Sequence, residues 1–381
     1  PDWTLLTSPE REEDSWETAD KDLRPAREAL AWQMLDKYRE AGIFDKLRIA
    51  ARRKRAVRPL ALPSGAPLYS TVFDNWYDLV AARACAARSR AAVDAGDRAE
   101  FFDALESGLA IARIDRHQLW MIDRLNADAI EQAMLERIAH MLMQRPSAEW
   151  VDGVQEVMDR QRSQLGASTI FAGERLMMLD TSAWLFGEAG NVRLGRFSPE
   201  VRRLYGGVVN TKLGTFGANE REIEAMYNDA DAAAAQERWE RTPLPMALTR
   251  SRGLAMVDGL HGSFGRALQS MDQIELHRRG VSVMMALERW RLQRGAAGSA
   301  YPQTLADLVP EFLDRVPLDP WSGRALCYRS TAEGKSYLLY SVGQDGKDDG
   351  GIAAKYRYSA LGGVPQKSAC DFVINGSGGG E

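Results

Sequence analysis

The stretch from Tyr301 to Gly351 constrains this chain more than any other. It reads YPQTLADLVPEFLDRVPLDPWSGRALCYRS and then, after a short break, SYLLYSVGQDGKDDGG. A Tyr-Pro pair opens it, and the prolines and glycines that follow cut it into pieces too short for long helices. Between the cuts lie a short amphipathic helix and two runs that read as strands, Ala325–Arg329 and Tyr337–Val342. Two further candidate strands follow, Tyr356–Ser359 and Asp371–Ile374. A segment punctuated in this way predicts a small head built from short strands.

The residues before the head read as helix. Apolar residues recur at three- and four-residue spacing from Leu23 to Arg58, before Pro59 and Pro63 break the pattern. A long helical stretch runs from Thr71 to Gln144 and is cut once, at Asp94-Ala95-Gly96-Asp97. There Gly96 ends one helix and Asp97 caps the next. Ser147 opens another helix with a capping-box-like start, and a further one covers Ile170–Trp184. The Gly-rich residues 185–217 read as a long, partly ordered connection. Helix returns over Asn219–Glu240 and, after Pro243 and Pro245, over Met246–Arg294. In the last part Val281, Met284, Leu287 and Trp290 line one apolar face, ready to receive a small sheet. The predicted class is α+β. A large, mainly α-helical domain occupies residues 1–265, an α+β domain with a long helix on a short antiparallel sheet occupies 266–375, and a flexible tail occupies 376–381.

Composition narrows the function classes. The 381 residues suffice for two or three domains, and a net charge of -4 excludes a globally basic nucleic-acid binder. No phosphate-binding loop and no strand-linked GxGxxG occurs, which argues against nucleotide use. No run approaches the roughly 20 apolar residues needed to span a bilayer. The chain opens on Pro1 and not on Met, which predicts a processed or truncated form with any signal or membrane anchor upstream. His117, His140, His261 and His277 lack the spacing of a helical metal site and read as polar-face or core residues. The basic cluster Arg52-Arg53-Lys54-Arg55 with Arg58 reads as a solvated helix end that complements the helix dipole. Cys85 reads as a buried thiol. A Cys327–Cys370 disulfide stays open, depending on an oxidising compartment.

The order of punctuating residues in the head is specific. Tyr301-Pro302, Leu305 and Leu308, Pro317 with Asp319-Pro320-Trp321, Tyr328, then Tyr340-Ser341 with Gly343, Asp345 and Gly346 follow a long helix. This layout resembles the globular part of the major pseudopilin of type II secretion systems, over roughly residues 280–351. The resemblance implies a calcium ion in the acidic loop, with Asp345 and one or both of Asp348 and Asp349 as side-chain ligands and nearby carbonyls completing the shell. The other reading of that loop is an Asp/Gly turn with solvated charges. The family's apolar polymerisation helix has no counterpart here, because some 280 residues of helical sequence precede the module. The whole chain also resembles a group of uncharacterised planctomycete envelope proteins, which share the triplet Gly173-Glu174-Arg175 and the C-terminal ending.

These readings predict a non-catalytic protein of the cell envelope, extracytoplasmic or secreted. Its head serves assembly with a protein partner or with itself. Two alternatives stand beside that reading. One is a hydrolase with an acid site around Glu174, whose burial in an apolar helix would raise its pKa. The structural reading of the same residue is a carboxylate paired with an Arg from a neighbouring helix. The second alternative is a peptide-binding helical array.

Overall fold

The computed structural model describes residues 33, 36–53, 68, 76–118, 120–162, 171–186, 215–241, 261–294, 301–331, 334–352 and 371–375. The chain divides into two compact units, Pro1–Ile49 and Ala50–Glu381. Helix α1 (Ile43–Ala51), whose residues up to Ile49 belong to the first unit, begins after a turn at Ala41-Gly42, where Gly42 takes a φ of 64°. The helix expected without interruption over Leu23–Arg58 is therefore broken at Gly42, whose left-handed backbone costs a residue without a Cβ little.

The second unit holds seven further helices among the described residues. They are α2 (Trp76–Ala95), α3 (Arg98–Arg116), α4 (Met121–Met143), α5 (Ala148–Gln161), α6 (Ala172–Leu185), α7 (Phe216–Ala234) and α8 (His261–Arg294). Helices α2, α3 and α4 pack on one another in succession, α5 lies on α3, and α6 pairs with α7. The first hairpin forms as the sequence dictates: Gly96 has φ 69°, and Asp97 accepts the Glu100 N–H at 3.0 Å. A second break, between His117 and Trp120, was not expected. Ser147 does precede α5, but its side chain makes no capping bond. The expected Gly-rich connection falls largely outside the described residues, as do the Tyr356–Ser359 strand, the part of the last helix before His261, and the tail.

Helix α8 is the central strut. Its first half enters the body's core, where Phe264 meets the rings of Phe171 and Tyr227 edge-on at 5.2 and 5.1 Å. Its second half carries the head. Val281, Met284 and Leu287 are buried as expected and Trp290 only partly, while Val283, Met285 and Ala286 are buried as well. The apolar surface wraps most of the helix because α8 packs on α4 and α5 while also touching β2 and the 3-10 turn Leu305–Leu308. A helix with partners on more than one side needs more than one stripe.

The head itself is a three-stranded antiparallel sheet in the order β1 (Cys327–Ser330), β2 (Tyr337–Ser341), β3 (Phe372–Val373). Cys327 pairs with Tyr340 and Ser330 with Tyr337, while Ser341 pairs with Phe372 on the other side. Tyr337, Leu339 and Ser341 on one face of β2 are all buried, whereas Leu338 on the other is only partly covered. Asn375 extends β3 with its side chain, accepting the Leu339 N–H at 2.8 Å and donating to the Tyr337 carbonyl at 2.7 Å. The class is α+β, mostly helical with one small antiparallel sheet.

Candidate functional site

The residues that give the head its sequence signature act as its fasteners. Tyr301 donates its hydroxyl to Glu288 on α8 at 2.6 Å, and its ring meets Tyr337 edge-on at 4.7 Å. Glu288 is fully buried and shares its second oxygen with Arg291 at 2.6 Å. Tyr328 donates to the carbonyl of Pro302 at 2.8 Å, which ties the strand back to the Tyr-Pro start.

Asp319 is the tightest knot. It is 1% exposed. Its carboxylate accepts the Trp321 N–H at 2.9 Å, the Ser341 hydroxyl at 2.9 Å and the Val342 N–H at 3.1 Å. One side chain thus holds the Pro-Trp turn to the end of β2. The same turn seats the head on the helical body: a Cβ on Gly323, whose φ is 67°, would lie 2.9 Å from the Trp239 ring. The Arg279 guanidinium donates to the Leu318 carbonyl and to Glu237, and Arg238 lies over the Trp321 ring at 5.2 Å.

The acidic loop runs from β2 back over the partly covered face of the sheet. Tyr340 donates its hydroxyl to Asp348 Oδ1 at 2.9 Å, and the Gly350 N–H donates to the same oxygen. These bonds, the Gly350 N–H first, hold the Asp348 carboxyl below its ordinary range. Arg329 donates to the Gly350 carbonyl from β1. Gly351, at φ 80°, lies so close that an added Cβ would come within 2.5 Å of Leu338. Asp345 Oδ1 accepts the Lys347 N–H at 3.1 Å, and Asp349 is exposed. The three aspartates read from the sequence therefore do not converge: Asp345 and Asp348 each cap their own turn. No group of three or more His, Cys, Asp or Glu side chains among the described residues is arranged to hold a metal ion.

A fourth carboxylate escaped the sequence reading. Asp371, the residue before β3, is 2% exposed and accepts the Gly351 N–H at 2.6 Å through Oδ2. Its Oδ1 is buried with no hydrogen-bond partner among the described residues. An orphaned carboxylate oxygen beside a Gly-rich acidic loop is the kind of hard donor that calcium takes. Twenty residues separate it from Gly351, so no local spacing advertises it. Beside the loop, Cys327, Tyr328, Arg329, Tyr340, Asp348 and Gly350 line a shallow cavity of about 470 Å³. Cys327 forms no disulfide among the described residues, and its thiol pKa is raised, burial first and the nearby Asp348 next. Cys370 lies outside the described residues.

The second sequence candidate, Glu174, has a different use. Among the described residues it pairs with no Arg from a neighbouring helix. Its Oε2 accepts the Met121 N–H at 3.2 Å, while Asp123 accepts the Trp120 N–H at 3.3 Å. Two acids therefore cap the start of α4, where the helix dipole favours negative charge. Arg175 turns to α7, donating to Asn228 and to Asp231 and lying over the Tyr227 ring. Around them Phe171, Met177, Met178, Met226 and Tyr227 form an apolar cluster. Burial pushes the Glu174 carboxyl up, the Met121 bond pulls it back, and Asp123 pushes it up again. Because the folded-state value is raised, ionising Glu174 costs stability as pH rises through the window above the ordinary value of 4.5. Glu174→Gln, which keeps the acceptor, is expected to hold or raise Tm at pH 7 and to remove that slope. Glu174→Leu, which leaves the Met121 N–H bare, is expected to cost about 1–3 kcal/mol in urea unfolding.

No helix among the described residues is long and apolar enough to cross a membrane. Comparison with protein-family models, with curated proteins and with solved structures gave no match to the chain.

Proposed function

We propose that this protein is a non-catalytic component of the cell envelope, exported from the cytoplasm, whose pseudopilin-like head serves protein–protein assembly. The observation that carries the proposal is the way the signature residues are used. Tyr301, Pro302, Asp319, Trp321, Tyr328 and Tyr340 all meet in one head on one long helix, as they would if the resemblance reflects a shared design. The partner is a second copy of the chain or another envelope protein. Sedimentation velocity and chemical cross-linking of the protein in its native cells test this. A reproducible cross-link from the head supports the assembly role. A strictly monomeric protein with no head-centred cross-link, or one retained in the cytoplasm, overturns it.

Calcium belongs to the same proposal. Asp371, with its buried Oδ1, would supply one hard oxygen, and a calcium shell around it would need Asp345, Asp348 or Asp349 to swing toward it from the loop, with carbonyls of the Gly-rich backbone completing the set. Binding would join the loop to the start of β3. A ligand that binds only the folded state at 100 times its Kd stabilises by about 2.7 kcal/mol. Tm is therefore expected to rise with millimolar calcium over chelator in the wild type, and the rise is expected to vanish in Asp371→Asn. Equal Tm with calcium and chelator removes the ion from the proposal and leaves the assembly role standing.

A further inference from the structure

The sheet's last strand rests on a buried histidine. Phe372 of β3 meets the His277 ring edge-on at 5.0 Å, and one helical turn along α8 a Cβ on Gly280 would lie 2.6 Å from Ile374. These two α8 positions form a seat for a strand of two residues, joined to β2 by a short ladder. His277 is 6% exposed. Its Nδ1 lies 2.8 Å from the Gln273 carbonyl, so Nδ1 carries the proton and Nε2 holds the lone pair. The charged groups that face it come from two helices. On α4 these are Glu136, whose carboxylate is 4.0 Å from Nε2, and Glu131. Glu131 is committed to Arg116 and Arg278, and Glu136 also accepts from Gln132 and lies near Arg137. On α8 itself the neighbouring Arg278 adds positive charge. From β3 the ring meets the uncharged ring of Phe372, with Asp371 turned to Gly351.

We propose that His277 is a pH-sensitive seat: the neutral imidazole holds β3 on α8, and its protonation in mildly acidic surroundings releases the strand. Release withdraws Phe372 from the helix and Ile374 from its bond to the Leu339 carbonyl, loosening the loop anchored at Asp371. The balance favours the neutral form. Burial depresses the imidazole pKa, and the Gln273 bond and the two glutamates only partly restore it. The sign follows. A histidine whose folded-state value is depressed binds fewer protons when seated than when released, so the seated state loses stability as pH falls below the ordinary value of 6.5. One linked proton raises the released population by up to about tenfold per pH unit within that window. The inference does not depend on the assembly role or on calcium.

Amide hydrogen exchange read residue by residue between pH 7.5 and 5, corrected for intrinsic rates, tests it in the full chain. Protection of the Ile374 amide is expected to fall with pH by up to tenfold per unit, while that of Thr331, bonded between β1 and β2, stays level. In His277→Gln the pH dependence at Ile374 is expected to disappear. Should that variant fold poorly, the wild-type ring itself decides, because its NMR titration midpoint must lie below 6.5. A midpoint at or above that value, a level Ile374 profile, or the same acid response in folded His277→Gln each overturns the proposal.

Discussion

Asp319→Ala is expected to cost about 3–5 kcal/mol, since it leaves the buried N–H of Val342 and the half-buried N–H of Trp321 without an acceptor. The Ser341 hydroxyl loses its acceptor too, although it keeps its own bond from the Gly343 N–H. Each bare buried donor costs about 1–3 kcal/mol, and the lost acceptor is a carboxylate, which makes the stronger class of hydrogen bond. The loss is not confined to one turn. Asp319 also takes part through its backbone, donating to the Arg324 carbonyl at 2.6 Å and accepting from the Gly323 N–H. Without the knot, the turn that seats Gly323 under Trp239 and Leu318 under Arg279 would drift from the end of β2. Asp319→Asn separates the contributions. One amide oxygen still serves Trp321 and Ser341, but the amide NH2 faces the Val342 N–H, and a smaller loss of about 1–2 kcal/mol is expected. Urea unfolding followed by tryptophan fluorescence checks both variants. A cost below about 1 kcal/mol for Asp319→Ala would show that the turn is held by something other than this carboxylate.

That role was half legible. The turn was readable from Pro317, Asp319-Pro320 and Gly323, because proline and glycine act on the local backbone and leave their mark in local spacing. What Asp319 grips was not, since Ser341 and Val342 lie more than twenty residues on and their pairing is a property of the folded sheet. The same division runs through the chain. Gly96 and Asp97 announce their hairpin because the capping bond closes within three residues. The start of α4 announces nothing: Trp120 is no capping residue, and one of its two caps arrives from Glu174, 53 positions away. Periodicity found the buried face of α8 at Val281, Met284 and Leu287 but undercounted it. Val283, Met285 and Ala286 are buried by neighbours that a single-stripe reading does not contain. Asp345, Asp348 and Asp349 drew attention because they crowd one loop, while the buried Asp371 stands far from them in the chain and is joined to the loop only through Gly351.

Glu131→Ala is expected to destabilise the protein by about 3–5 kcal/mol at pH 7, because it removes the charge on which two helices converge. Glu131 stands on α4. Both its oxygens receive Arg278 of α8, at 2.6 and 2.7 Å, and Oε2 also pairs with Arg116 of α3 at 2.5 Å. Arg116 keeps Asp128 as a partner at 2.7 Å, so the greater exposure to loss falls on Arg278 and on the α4–α8 contact. Burial alone would raise the Glu131 carboxyl, but the two guanidiniums outweigh it and hold the group down at about 2 from an ordinary 4.5. A depressed folded-state value means stability that is present above pH 4.5 and lost as pH falls toward 2. The difference between wild type and Glu131→Ala is therefore expected to shrink across that window and nearly close at its acid end. This window opens at 4.5, below the 6.5 at which that of His277 opens, although His277 stands on the same strut that Glu131 grips. Acid titration of stability should thus show two limbs: an upper one that Ile374 exchange reports and His277→Gln removes, and a lower one that Glu131→Ala flattens. A single limb untouched by Glu131→Ala would mean that the ion pairs around α8 contribute nothing net, as is common for exposed pairs and contrary to what their burial requires.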